Sequence, residues 1–231
     1  MTLPLVLLPG MMCDARLFAP QIAALSAGRS ILVADLSGAD TIRALATRVL
    51  DQAPPVFALA GLSMGGIVAM EILRQSPARV ARLALLDTNP RAELPQVQAR
   101  RGPQIDKVRA GHLRAVMRDE MKPNYLSDGP DKARILDLCM DMAESLGPAT
   151  FVAQSIALRD RSDQQDTLRT VSVPSLILCG RDDALCPVER HERMHALIAG
   201  STLTILDQAG HLPTLEQPER TNAALHRWLE V

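Results

Sequence analysis

A serine between glycines is the part of this sequence whose residue types and spacing are best suited to catalysis. Residues 61–66 read Gly-Leu-Ser-Met-Gly-Gly, so Ser63 has a glycine two positions before it and another two positions after it. An apolar, strand-like run at 56–60 precedes this segment, and a helical pattern follows it. A sharp turn from a strand into a helix holds its serine in a strained conformation that leaves no room for bulky neighbours. The pattern predicts that Ser63 is a nucleophile near a helix N-terminus, where developing negative charge is stabilised.

A serine hydroxyl needs a general base, and His211 is the best placed of the five histidines in the chain. It follows a strand-like run at 202–206, on a loop at the end where parallel-sheet proteins place their reacting groups. An acid that orients this histidine is expected between Ser63 and His211 in the chain, again just past a strand. Asp182 and Asp183 both meet that requirement.

The elements that must position these side chains alternate between apolar runs and amphipathic helical patterns. Strands are predicted at 3–8, 30–36, 56–60, 80–87, 175–180 and 202–206. Helices are predicted at 15–25, 41–52, 66–75, 188–199 and 218–229. This alternation predicts a mostly parallel sheet of about six strands, flanked by helices on both faces.

The segment 89–172 has a different character, because it lacks strand signals and is charged and helical. Gly-Pro pairs begin at Gly102, Gly129 and Gly147 and predict breaks between its helices. We therefore expect a helical cap at 89–172, inserted into a core formed by 1–88 and 173–231.

Composition limits the classes of partner. The chain has 231 residues with Lys+Arg 25 and Asp+Glu 26, so its formal charge of -1 indicates neither a nucleic acid nor an anionic membrane. No apolar run reaches membrane-spanning length, and the N-terminus has no basic region typical of a signal peptide. Four cysteines, of which only Cys179 and Cys186 are closely spaced, are interpreted as reduced thiols. We expect a cytoplasmic protein whose partner is a small-molecule substrate; the sequence does not indicate its oligomeric state.

Aromatic residues make up only 2% of the chain, whereas it contains 10 methionines. A pocket in this protein is therefore expected to have mainly aliphatic and thioether walls, which adapt to flexible acyl chains.

These parts together resemble the α/β-hydrolase fold family. The resemblance rests on the turn at 61–66, on Gly-Arg-Asp-Asp at 180–183 and on Gly-His at 210–211, in the chain order serine, acid, histidine. It covers the whole chain apart from the insertion, which corresponds to the family's cap. In that family the acid usually stands three residues after the glycine, which implies Asp183 rather than Asp182. The resemblance also implies a trimmed sheet, because the family's first two strands are missing.

The stretch Leu-Leu-Pro-Gly-Met at 7–11 resembles the family's oxyanion loop, which usually reads His-Gly. Pro9 replaces the histidine here, but the chemistry needs only a backbone N–H. The resemblance implies that the N–H groups of Met11 and Met64 hold the oxyanion; the alternative is that this stretch is only a turn. The residues expected to line the substrate pocket are Gly10, Met12 and Leu212.

The expected function is hydrolysis of a carboxylic ester, thioester or lactone through an acyl-enzyme on Ser63, without a metal or an organic cofactor. The small size and the helical cap make the chain similar to the enol-lactonase and pimeloyl-carrier methyl-ester esterase branch of the family. Two alternatives stay open. One is a carbon–carbon bond hydrolase or lyase with the same triad, and the other is a small-molecule receptor that retains it.

His191 and His195 form a His-Glu-x-x-His pattern, which is typical of zinc metallohydrolases, and Glu216 is a conceivable third ligand. Arg193 argues against this alternative, because it would place a positive charge beside the metal ion.

A basic stretch lies in the insertion, where Arg100 and Arg101 precede Lys107 and Arg109. It predicts a solvated helix face or a docking site for an acidic carrier or a carboxylate-bearing substrate.

Overall fold

One sheet of six strands forms the centre of the protein, in a computed structural model that describes residues 2–230. The strands are β1 (Leu5–Leu8), β2 (Ile31–Val33), β3 (Phe57–Leu62), β4 (Val80–Leu86), β5 (Ser175–Gly180) and β6 (Thr202–Leu206). Their order is β2-β1-β3-β4-β5-β6, and every neighbouring pair is parallel. The predicted fold class, α/β with a sheet of about six strands, is confirmed.

Helices follow the strands in the predicted segments. The α-helices are α1 (Ala19–Leu25), α2 (Ile42–Gln52), α3 (Met64–Gln75), α4 (Pro95–Arg109), α5 (Leu113–Val116), α6 (Lys132–Arg159), α7 (Gln165–Arg169), α8 (Val188–Leu197), α9 (Pro213–Glu216) and α10 (Pro218–Glu230). Short 3-10 helices occupy Ala15–Phe18, Pro77–Arg79 and Lys122–Asn124, and a π-helical turn occupies Met117–Met121.

Strands β1, β3 and β5 are buried along their whole length. Alternate side chains of a strand point in opposite directions, so these strands are covered on both faces of the sheet. In β1, Val6 and Leu8 belong to the core shared with α2, α3 and α8, whereas Leu5 and Leu7 belong to the core shared with α1 and α10. Burial on both faces explains why the strands read as continuous apolar runs. It also leaves the carboxyl-terminal edge of the sheet as the place where polar side chains gather.

The Gly-Pro pairs between β4 and β5 have different outcomes. The predicted break at Gly102-Pro103 is wrong, because α4 runs through it. Burial of Ile105 and Val108 and packing of α4 against α6 outweigh the helix hydrogen bond that Pro103 cannot make. At Gly147 the backbone leaves the helical conformation, with φ 77° and ψ 172°, so α6 bends there.

The end of the predicted cap lies against the sheet layer. Helix α7 packs on α3 and α8, and the Gln164 amide donates a hydrogen bond of 2.9 Å to Glu71 of α3. The boundaries of a cap at 89–172 stay a prediction.

The four cysteines are free and buried. Within residues 2–230, no helix combines the length and the hydrophobicity needed to span a bilayer. The cytoplasmic location stays a prediction.

Candidate active site

Ser63 stands between β3 and α3 with φ 55° and ψ −115°, a backbone conformation that is strained for a residue with a side chain. The two glycines that frame it are required by close backbone contacts. A Cβ on Gly61 would lie 2.3 Å from the carbonyl oxygen of Gly65, and a Cβ on Gly65 would lie 2.0 Å from that of Leu8. The turn is therefore as tight as the motif predicts.

The structure brings Ser63, His211 and Asp183 together in one hydrogen-bonded row. Ser63 Oγ lies 2.8 Å from His211 Nε2, and His211 Nδ1 lies 2.8 Å from Asp183 Oδ2. Ser63 follows β3, Asp183 follows β5 and His211 follows β6, so each residue comes from a different strand end. In this arrangement Nδ1–H donates to the carboxylate, which leaves Nε2 free to accept the serine proton.

Asp183 is the acid that reaches the histidine, whereas Asp182 is exposed to solvent. Asp183 is 3% exposed, and its Oδ1 accepts the backbone N–H groups of Leu185 and Cys186 at 2.8 and 2.9 Å. Burial by itself would raise the pKa of the Asp183 carboxyl. The charge and the hydrogen bond of His211, with these two N–H groups, outweigh burial and hold the pKa below its ordinary value.

The loop that carries His211 is clamped by backbone hydrogen bonds. His211 N–H donates to the carbonyl oxygen of Tyr125 at 2.7 Å. The carboxylate of Glu216 accepts the N–H groups of Gly210, Leu212 and Ser127 at 2.9, 3.0 and 2.8 Å. Glu216, considered above as a conceivable zinc ligand, thus fixes the position of the histidine loop. In the sequence, the only signal for this role of Glu216 is its position five residues after His211.

The loop after β1 lies directly beside Ser63. A Cβ on Gly10 would lie 3.5 Å from the Cβ of Ser63. Within residues 2–230, the backbone N–H groups of Met11 and Met64 have no protein acceptor, so both are available to a ligand. Their assignment to the oxyanion stays a proposal.

Met12 lies behind the cavity wall rather than on it, which corrects the expectation that it lines the pocket. It is 1% exposed, has φ 57°, and its N–H donates to Gln154 Oε1 at 2.8 Å. The Gln154 amide also donates to the carbonyl oxygen of Leu36 at 3.0 Å. Gln154 therefore ties α6 to two loops at the strand ends, a role that sequence reasoning missed.

His191 supports the turn that carries Ser63, through hydrogen bonds that pass by way of Thr88. Its Nε2 accepts the N–H of Thr88 at 3.0 Å, while Nδ1 faces the carbonyl oxygen of Pro187 at 3.3 Å and so carries the hydrogen. The Thr88 hydroxyl donates to the carbonyl oxygen of Ser63 at 2.7 Å. Burial lowers the pKa of His191 to about 4, so the ring is neutral at physiological pH.

These contacts disfavour the zinc alternative. The lone pair of His191 Nε2 is already used, and Nδ1 of His195 lies 2.8 Å from the Ser201 hydroxyl. Across residues 2–230, the one group of His, Cys, Asp and Glu side chains close enough to share a metal ion is Asp183, Cys186 and His211, which is the hydrogen-bonded Asp183–His211 pair with a thiol beside it.

Asp87 is a second buried carboxyl group near the triad, and sequence reasoning missed it. It directly follows β4 with φ 43° and is fully buried, and its Oδ1 accepts the N–H of Gly180 at 2.9 Å. Its Oδ2 has no partner among the described residues. Burial, and after it the charge of Asp183, raise the pKa of Asp87 well above its ordinary value. An acid directly after an apolar strand was the available signal.

A cavity of about 400 Å³ opens above Ser63 and His211. Gly10 and Leu212 line it, together with Met11, Met64 and Ile67, and their contact with a substrate stays a prediction. The expectation of mainly aliphatic and thioether walls holds only in part, because four arginines also line the cavity. They are Arg100, Arg101, Arg161 and Arg190.

Comparison with known proteins gives three findings. The sequence model described as the alpha/beta hydrolase family matches residues 5–224. A curated relative, the pimeloyl-(acyl-carrier protein) methyl ester esterase of Neisseria meningitidis serogroup A, is 27% identical over 191 residues. The match takes in 80% of this chain but 61% of that protein, which is less than two thirds of the relative's length.

The third finding is a likeness to solved structures. A thermophilic esterase from Thermogutta terrifontis, determined with malate bound, has a TM-score of 0.90 and 30% identity over 99% of this chain and 90% of that one. The enol-lactonase from Burkholderia xenovorans LB400 has a TM-score of 0.90 at 22% identity, over 100% of this chain and 92% of that one. The second likeness concerns the fold alone.

Proposed function

The chain belongs to the alpha/beta hydrolase family, and from that we propose that it is a serine hydrolase that cleaves a carboxylic ester through an acyl-enzyme on Ser63. The observation that carries this proposal is the row of hydrogen bonds from Ser63 Oγ through the His211 ring to Asp183, each 2.8 Å long. A hydroxyl in that position can lose its proton as it attacks.

In the first half of the reaction, Ser63 Oγ attacks the acyl carbon while His211 Nε2 takes its proton. The carbonyl oxygen becomes an oxyanion, which the free N–H groups of Met11 and Met64 stabilise. Asp183 keeps the ring in the required tautomer and stabilises the imidazolium. His211 then gives the proton to the departing alcohol, and the acyl group stays on Ser63.

In the second half, His211 activates a water molecule that attacks the acyl-enzyme. The same oxyanion site is used again, the acid leaves and Ser63 recovers its proton. Apart from the substrate and this water molecule, every group in the two half-reactions belongs to the chain itself.

The substrate class is supported by the cavity and by the relatives. Met11, Met64 and Ile67 offer apolar surface next to Ser63, which suits an acyl chain. The curated relative and the Thermogutta terrifontis protein are both named esterases. Lactones and thioesters pass through the same acyl-enzyme, so they belong to the same proposal.

The test is hydrolysis of p-nitrophenyl esters of increasing acyl length by the wild type and by Ser63→Ala. We expect activity in the wild type, with an optimum length that reports the size of the cavity. Removal of the nucleophile is expected to lower the rate by a factor of at least about 10³. A fluorophosphonate probe should label the wild type at Ser63, as located by mass spectrometry, and leave the variant unlabelled.

Two results would contradict the proposal in different ways. A wild type that cleaves no ester, thioester or lactone would exclude the hydrolase function and favour the receptor alternative. Full activity in Ser63→Ala, with correct folding shown by circular dichroism, would exclude this serine as the nucleophile.

A further inference from the structure

The four arginines that line the cavity form what we call the arginine wall: Arg100, Arg101, Arg161 and Arg190. They come from α4, from the residues that follow α6 and from α8, so they are distant in sequence and meet only in the folded chain. The carboxylates that line the same cavity belong to Glu93 and Glu120, and Glu120 is already paired with Lys107 at 2.7 Å. Positive charge therefore exceeds negative charge beside Ser63.

Glu93 holds two of these arginines, Arg101 and Arg161, in fixed positions. Its carboxylate accepts Nε and Nη2 of Arg101 and, at 2.6 Å, Nη1 of Arg161. The side chains of Arg101, Arg161 and Glu93 are 11%, 8% and 4% exposed. Burial by itself would raise the pKa of Glu93, but both guanidinium groups together outweigh burial and keep it ionised. Two cations thus share one anion, and the cluster keeps one net positive charge.

Several donors of these cavity-lining arginines have no oxygen acceptor in the part of the chain that the structure describes. Nη1 of Arg101 reaches only the sulfur of Met11, at 3.9 Å, which places it next to the loop after β1. Within residues 2–230, Nη2 of Arg161 and the whole guanidinium of Arg100 have no acceptor. Burial and the like charge of Arg101 lower the pKa of Arg161, although its ion pair with Glu93 acts in the opposite direction. Guanidinium groups with free N–H edges match the planar geometry of a carboxylate.

We propose that Arg101 and Arg161, held by Glu93, bind a carboxylate of the substrate, so that the enzyme selects esters that carry one free carboxylate. This inference rests on the proposed function, because it names the substrate class of the same site. A single carboxylate fits better than a dianion, because the buried cluster has one net positive charge. The apolar surface beside Ser63 then holds the hydrocarbon part between the scissile ester and the carboxylate.

The test compares esters that differ only in that charge. Monomethyl adipate is paired with its neutral analogue methyl 5-carbamoylpentanoate, which puts the charge on the acyl side. The butanoate ester of glycolic acid is paired with that of glycolamide, which puts it on the alcohol side. In at least one pair we expect kcat/KM for the anionic ester to be about tenfold higher or more, since charge-assisted hydrogen bonds are stronger than neutral ones.

Variants then assign the preference to the arginine wall. Arg101→Gln and Arg161→Gln are each expected to reduce the anionic-to-neutral ratio by roughly tenfold. Because the ratio is taken within one variant, a general loss of activity cancels. Arg109→Gln is the matched control, since Arg109 lies on the same helix α4 but outside the cavity, and it should keep the wild-type ratio.

The outcomes separate this inference from the proposed function. A wild-type ratio near one in both pairs, together with hydrolysis of p-nitrophenyl esters, would overturn the carboxylate site and leave the esterase intact. An unchanged ratio in both folded arginine variants would overturn it as well. A wild type that cleaves neither the paired esters nor the p-nitrophenyl esters would overturn the proposed function, on which this inference rests. If a buried variant fails to fold, the wild-type ratios still decide the question.

Discussion

The floor and the arginine wall of the cavity are built in opposite ways. The floor, formed by Ser63, Asp183 and His211, is positioned by backbone groups that leave no space: a Cβ on Gly180 would lie 2.1 Å from the carbonyl oxygen of Gly210. In the arginine wall, Arg101 and Arg161 are positioned by long side chains that hydrogen-bond to one buried carboxylate, Glu93. Backbone contacts tolerate almost no change, whereas long side chains can be exchanged without moving the chain.

The difference indicates how chemistry and selection are divided. Reacting groups must be held to within a fraction of an ångström, which the tight contacts at the strand ends achieve. Substrate choice needs charge and shape, which we propose come mainly from the segment between β4 and β5 that carries Arg100, Arg101 and Arg161. If this division is correct, substitutions in the floor should lower the catalytic rate and the free energy of unfolding by large amounts.

The largest effect is expected from Asp183→Asn. The amide would present a donor or an uncharged oxygen to His211 Nδ1, so the ring loses its orienting carboxylate and adopts the wrong tautomer. We expect kcat for ester hydrolysis to fall by about 10³ to 10⁴ while the fold is kept. The rate is measured at saturating substrate. Asp182→Asn, at the exposed neighbour, is the control, and a large loss in that variant instead would reverse the assignment of the acid.

Two glycine-to-alanine variants compare how the free energy of unfolding responds to a change in the floor and to a change in the helices above it. Gly65→Ala would place a Cβ 2.0 Å from the carbonyl oxygen of Leu8, so the turn must open. We expect a loss of about 3 kcal/mol or more in the free energy of unfolding. Gly102→Ala, inside α4, brings no atom beyond its chain neighbours within 4 Å of the new Cβ, and its gain in helix propensity is opposed by the ring of Pro103, so we expect a change of less than about 1 kcal/mol.

Urea unfolding of both variants measures the contrast. A mild effect of Gly65→Ala would show that the turn can relax, and that the floor is less rigid than its backbone contacts indicate.

The floor was largely predictable from sequence because its signals are local. A glycine-framed serine needs only neighbours in the chain to be recognised, and β5 and β6 have the predicted bounds. The match to the family's sequence model and the observed six-stranded sheet confirm the predicted family and fold class. Asp183 could be preferred over Asp182 only by resemblance, because adjacent aspartates differ in orientation and not in sequence pattern.

The rest could not be predicted because it depends on contacts between distant segments. Gln154 meets Met12 across 142 positions, and Arg161 meets Glu93 across 68. No periodicity marks such pairs. The wrong break at Gly102-Pro103 has the same origin, since burial of α4 against α6 overrides the local propensity of the dipeptide. Sequence therefore indicated the floor, but of the arginine wall it marked only Arg100 and Arg101, as part of an ambiguous basic stretch.

His191 makes the floor sensitive to acid. Its pKa of about 4 in the folded state lies below the ordinary value near 6.5, so between these values the unfolded chain binds a proton that the folded chain does not. Stability should therefore fall as the pH is lowered from about 6.5 to about 4, by on the order of 3 kcal/mol. His191→Gln, whose amide oxygen can still accept the Thr88 N–H, should remove this part of the loss.

Urea unfolding at pH 7 and pH 4.5 measures the change for both proteins. His226→Gln, at an exposed position of α10, is the control and should lose stability as the wild type does. An equal loss in His191→Gln would show that other groups cause the acid sensitivity.

The smallest effect, and the one of opposite sign, is expected from Asp87→Asn. The raised pKa means that the folded chain holds a proton which the unfolded chain releases above about pH 4. Rising pH therefore favours unfolding until the folded carboxyl also ionises. An asparagine keeps the shape and the acceptor for the Gly180 N–H but cannot ionise, so it removes this cost.

We expect Asp87→Asn to raise the Tm at pH 7, by about 2–4 °C for each kcal/mol gained, and to leave it unchanged near pH 4. Differential scanning calorimetry at both values, with the exposed Asp51→Asn as control, measures the difference. A lower Tm at pH 7 would mean that Asp87 stabilises the fold as a carboxylate. A higher Tm would show that the floor retains a buried acid beside Asp183 at a net cost to stability. The arginine wall would then differ from it in one further respect, because its buried carboxylate, Glu93, is paired with two cations.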